Sequence, residues 1–81
     1  MPLFSTKLHS PADFGFVLRQ ARLDRGLSQE QLAALIGVPQ STVSEIESGK
    51  STIHLRRLLS LARATGVEFS ATWDDEHAPR D

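Results

Sequence analysis

Four stretches of this chain repeat their apolar residues at helical spacing, and a fifth alternates them with a period of two. The first stretch covers residues 11–24, where Phe14, Val17, Leu18 and Ala21 share a face. Its start is written in Ser10-Pro11-Ala12-Asp13: a serine that caps free amides, a proline pre-set for the first helical position, and a carboxylate against the positive helix end. Ser28-Gln29-Glu30-Gln31 spells a capping box, in which Ser28 bonds the amide of Gln31 while the Gln31 side chain reaches back. The helix it opens carries Leu32, Ala33 and Ile36 on its inner stripe and stops at Gly37, which supplies the left-handed backbone of a tight turn. Val38-Pro39 leads on to a third helix over residues 40–47, with Val43 and Ile46 inward and Gln40, Ser41, Thr42, Ser44 and Glu45 outward. A fourth helix starts near Thr52, aligns Leu55, Leu58, Leu59 and Ala62, and closes at Gly66.

After Gly66 the period changes. Val67, Phe69, Ala71 and Trp73 alternate with Glu68, Ser70 and Thr72, the pattern of one half-buried strand. A lone strand leaves its own amides and carbonyls unpaired, and no second good strand stands out in the sequence. The expected partner is therefore the same strand of another copy, with Val67, Phe69, Ala71 and Trp73 as dimerisation residues. This divides the chain into an N-terminal arm (1–10), a helical domain (11–66), a dimerisation strand (67–73) and a flexible acidic tail (74–81). The fold class expected is all-α, with four or five helices and a short C-terminal strand pairing across a homodimer.

Composition narrows the function. A chain of 81 residues holds one domain, and a domain of that size buries only ~60% of its unfolded surface, so association with a second copy helps it. The formal charge of −1 is unevenly spread: residues 1–67 hold eight Lys/Arg against five Asp/Glu, whereas residues 68–81 hold one against five. A mildly basic body can carry a phosphate-binding face whatever the total. There is no cysteine, which excludes disulfides and thiolate-bound zinc, and His9, His54 and His77 lack ligand spacing. No metal or other cofactor is expected. The N-terminus lacks a signal-peptide pattern, so the expected location is the cytoplasm, on the nucleoid when bound to DNA. Nothing orders a nucleophile, a base and an orienting acid together, and the expectation is a non-enzyme.

Two short helices joined through Gly37-Val38-Pro39 make a helix-turn-helix, in which the second helix enters the major groove of DNA. Gln40 suits adenine, to which an amide donates and accepts at once; Ser41 and Ser44 bond several bases; the Thr42 methyl fits a thymine methyl. Gln29, Arg25, Lys50 and Ser51 are candidate phosphate contacts, and Glu45 shares the same face as Gln40. Arg56, Arg57 and Arg63 read as solvated positions on the fourth helix, and Leu3 and Phe4 have no assigned role.

These residues carry a resemblance. Phe14-Gly15, Leu18-Arg19, Arg22, Gly26-Leu27-Ser28-Gln29, Leu32-Ala33, Gly37-Val38, Gln40-Ser41-Thr42-Val43-Ser44, Ile46-Glu47, Gly49-Lys50 and Ala62 are similar to the pattern of the phage-repressor-like (Cro, XRE) helix-turn-helix family. The resemblance covers residues 14–67 and implies a lambda-repressor-like domain. It further implies that Gln29 and Gln40 bond to each other while one holds a phosphate and the other reads a base, and that Arg22 and Glu47 form an internal ion pair. Pro39 departs from the pattern by standing where a Ser or Thr cap is usual. The ends, Leu8-His9-Ser10-Pro11 and Val67 to Asp74, resemble HipB-type antitoxins. That resemblance implies a homodimer on a palindromic operator, repression of its own operon, and a HipA-like serine/threonine kinase toxin as partner. The alternatives are a stand-alone regulator of the same family and a protein-binding adaptor without DNA affinity.

Overall fold

The computed structural model describes residues 3–50 and 52–74. Along the chain run β1 (Leu3–Leu8), α1 (Pro11–Asp24), α2 (Gln29–Ile36), α3 (Gln40–Glu47), α4 (Ile53–Thr65) and β2 (Phe69–Asp74). Helix starts follow the sequence signals. Ser10 Oγ accepts from the Asp13 amide, and the Asp13 carboxylate in turn accepts from the His9 amide at 2.7 Å. The Ser28/Gln31 capping box closes in both directions, and Thr52 caps α4 through the Leu55 amide. Pro39 precedes α3 with no side-chain cap, as its chemistry demands.

The strands correct one expectation. Residues 3–8 supply the second strand that seemed missing: β1 and β2 pair antiparallel within one chain, from Leu3 opposite Asp74 to Leu8 opposite Phe69. Phe4, Thr6 and Leu8 alternate with Ser5 and Lys7, a signal too short and too polar to stand out beside helices. Val67 falls in the turn before β2, and Asp74, assigned to the tail, belongs to the strand. Trp73 is satisfied inside the chain. Its ring stacks on Phe4, opposite in the register, at 5.2 Å between centroids, and its indole N–H donates to Asp24 Oδ2 of α1 at 2.9 Å. The sheet is thereby tied to the C-terminal end of α1. Residues 75–81, the rest of the expected tail, lie outside the described residues.

Burial is more economical than the helical stripes suggest. The buried apolar side chains among the described residues are Leu8, Val17, Ala33, Val43, Leu59 and Ala62. Four positions read as inward, Leu18, Ile36, Ile46 and Leu58, are instead 44–61% exposed. The first three line a cleft of about 460 Å³ between α1, α2 and α3, together with Val43 and Ala21. Periodicity identifies the apolar face of each helix, but only the spacing between helices decides which positions on that face are covered.

Candidate nucleic-acid interface

The turn between α2 and α3 is made by Gly37, whose φ of 74° is left-handed backbone that favours glycine. It allows α3 to leave with its first residue, Gln40, exposed and beside the start of α2. Close packing of α1 on α3 depends on Gly15. A Cβ there would meet the Ile46 and Glu47 carbonyl oxygens, the latter at 2.7 Å, so no larger residue permits this approach.

Behind this face lies a buried charge pair. Arg22 forks onto Glu47, Nε to Oε2 at 2.6 Å and Nη2 to Oε1 at 3.0 Å, while Nη1 donates to the Leu27 carbonyl at 2.7 Å. The two side chains are 7% and 4% exposed. Hydrogen bonding from Arg22, then from Gln29, holds the Glu47 carboxyl below its ordinary range despite burial, and the Glu47 carboxylate raises the Arg22 guanidinium. The pair is thus fully charged at neutral pH. It joins α1 to α3 and braces the loop before α2.

The network continues outward. Gln29 Nε2 donates to Glu47 Oε1 at 3.0 Å, and Gln29 Oε1 accepts from Gln40 Nε2 at 2.6 Å. Arg22, Glu47, Gln29 and Gln40 therefore form one chain of hydrogen bonds from the interior to the tip of α3. Ser41 is exposed beside Gln40, Thr42 and Ser44 are half-buried, and Glu45 is exposed. Lys50 lies 3.5 Å from the Glu45 carboxylate, both side chains being largely in solvent. Ser51 lies outside the described residues. A polar notch lined by Arg19, Gln29, Ser44, Glu47 and Ser48 adds a cation that the sequence reading left without a role. Its signal was available: Arg19 is three residues before Arg22 and so shares its side of α1. The dimerisation candidates Phe69, Ala71 and Trp73 are remote in sequence from this face and sit on β2.

The helix-turn-helix family pattern matches residues 18–71, two-thirds of the chain. The chain belongs to the helix-turn-helix family. Among similar proteins, an uncharacterized HTH-type transcriptional regulator, y4mF, of Sinorhizobium fredii is 30% identical over 63 residues, covering 78% of this chain and 83% of the relative. The HTH-type transcriptional regulator PrtR of Pseudomonas aeruginosa is 41% identical over 63 residues, but they span only 23% of its length. Multiprotein-bridging factor 1a of Arabidopsis thaliana is 36% identical over 59 residues, 42% of its length. No solved structure is significantly similar to the chain. In this helix-turn-helix protein α2 and α3 are the paired helices, and no helix among the described residues is long and apolar enough to cross a membrane.

Proposed function

We propose that this helix-turn-helix protein is a sequence-specific transcriptional repressor that binds a palindromic DNA operator as a homodimer. The observation carrying this reading is the exposed amide of Gln40 at the leading end of α3, held by Gln29 and flanked by Ser41, Thr42 and Ser44. Such a helix start presents donors and acceptors to base edges in the major groove, while α2 crosses the phosphate backbone. Lys50, Arg19 and Ser51 are assigned to phosphates, and Glu45 to the edge of the same surface. The regulator names of two relatives agree with this reading.

For the dimer, β1 and β2 each pair with only one neighbour among the described residues, so the two-stranded sheet retains outer edges suited to strand addition by a second copy. In this arrangement β2, with Phe69, Ala71 and Trp73, supports the interface as part of a sheet already formed within each chain, and Val67 packs at its beginning. Two recognition helices about 34 Å apart then meet successive major grooves. The finer role proposed is that of an antitoxin that represses its own operon and restrains a HipA-like kinase toxin, supported by the resemblance of residues 8–11 and 67–74 to HipB-type chains.

The test is fluorescence anisotropy with the duplex upstream of the chain's own gene, at increasing salt. The reading expects saturable binding whose logarithm falls linearly with log salt, and a slope reduced by about one in Lys50→Ala. Binding indistinguishable from that of a scrambled duplex overturns sequence-specific repression. Co-purification from the native host tests the antitoxin role, which fails if no kinase accompanies the chain. Two observations favour a second reading, a protein-binding adaptor: similarity to a multiprotein-bridging factor, and the open apolar cleft bounded by Leu18, Leu35, Ile36 and Ile46.

A further inference from the structure

We infer that α4 of a second copy fills the cleft between α1, α2 and α3, each chain of a pair giving its α4 to the other. The inference rests on the homodimer proposed above and adds a second contact to its sheet edges. Two apolar surfaces of the chain stand uncovered. One is the cleft of about 460 Å³, along which Leu18, Leu35, Ile36 and Ile46 are exposed. The other is a flank of α4, where Leu58 and Leu61, three residues apart and so on one side of the helix, are exposed beside the buried Leu59 and Ala62. Within one chain the two surfaces do not meet. α4 sets Leu59 and Ala62 beside Leu8 and Phe69 of the sheet, and among the described elements it has no extensive contact with α1, α2 or α3.

Area and geometry both select a second copy as the occupant. The chain is only 16 Å deep along its shortest axis, about the depth of two packed helices. It exposes 5729 Å², against about 4800 Å² for a compact monomer of its 8.9 kDa. The surplus of about 900 Å² matches the ~800 Å² that each partner gives to a standard interface. An amphipathic helix seats in such a groove through apolar side chains at i and i+3, which Leu58 and Leu61 supply. A two-fold axis makes the exchange reciprocal and closed, because each chain carries both surfaces. The DNA-facing side stays free. On α3 the cleft is lined by Val43 and Ile46, whereas Ser41 and Ser44, two residues before each, lie nearly opposite around the helix.

The test is sedimentation of the full chain and of Leu35→Lys and Leu61→Glu, each alone and then mixed. These positions are 70% and 63% exposed within one chain, so neither substitution removes a buried contact, and circular dichroism checks the fold. Should Leu35→Lys unfold the chain, Ile36→Lys on the same cleft takes its place. The wild type is expected to sediment as a dimer, and each variant alone to lose about tenfold or more in dimer affinity. An equimolar mixture is expected to regain most of that loss, because it pairs one intact α4 with one intact cleft. Neither misfolding nor a dimer held by sheet edges alone would be rescued by mixing. Dimers of wild-type strength in either variant overturn the inference and leave the sheet-edge dimer standing. Loss without rescue overturns it as well, since the two surfaces are then not partners. A wild type that stays monomeric at every concentration overturns the inference and the homodimer together, while saturable, salt-dependent duplex binding by that monomer would keep the DNA-binding reading.

Discussion

Arg22 and Glu47 form a buried charge pair, a kind that generally contributes little net stability. Each ion loses its hydration, and the fork between them, with the Leu27 carbonyl, roughly restores what burial removes. Removing one partner is different, because the other is left charged and buried. Glu47→Ala is expected to destabilise the chain by about 3–5 kcal/mol in urea unfolding, and Arg22→Met/Glu47→Met to recover most of that loss. The pH dependence has a definite sign. Because the Glu47 carboxyl lies below its ordinary value of 4.5 in the folded chain, its contribution is present above that pH and is lost as pH falls through the folded value. Acid titration of stability is therefore expected to show a steep fall below about pH 4.5 that Arg22→Met/Glu47→Met flattens. Equal slopes would remove Glu47 from that role. The pair was legible in the sequence only through family resemblance, since two charges 25 residues apart carry no local pattern.

Among elements, the helices could be read from the chain because their signals are local. Ser10, Ser28 and Thr52 cap within three residues of themselves, and Gly37 and Gly66 end helices by their own backbone geometry. The N-terminal strand could not, because a strand is defined by a partner, and the partner of Leu3–Leu8 is more than 60 residues away. Leu18, Ile36 and Ile46 were misplaced for a related reason: their helices are right, but the cleft they rim is a property of three helices together. Two element-level outcomes follow. Gly15→Ala pushes a methyl group into the backbone oxygens of α3 and is expected to cost about 3 kcal/mol by thermal unfolding, against a near-neutral change at a solvated helix site. Trp73→Ala removes both the stack on Phe4 and the bond to Asp24, and is expected to release the sheet from α1, seen as faster amide exchange over residues 3–8. Protection unchanged in that variant would mean that the strands hold without this tie.

For the molecule as a whole, the small buried core and the exposed Leu35, Ile36, Leu58 and Leu61 describe a chain with apolar surface to spare. In the proposed dimer, two-fold association through the sheet edges would duplicate the α3 face at the spacing of a DNA turn. A glycine turn and a close glycine contact place α3, a buried ion pair braces it, and two glutamines carry that order to the surface. That surface is the one proposed to meet DNA. The most direct measurement is the change of amide and side-chain NMR signals when the chain is titrated with duplex from its own promoter. The account expects the largest shifts at the Gln29 and Gln40 side-chain amides and along residues 40–45. Shifts confined to the β1–β2 sheet or to α4, with the Gln29 and Gln40 signals unmoved at saturation, would contradict it.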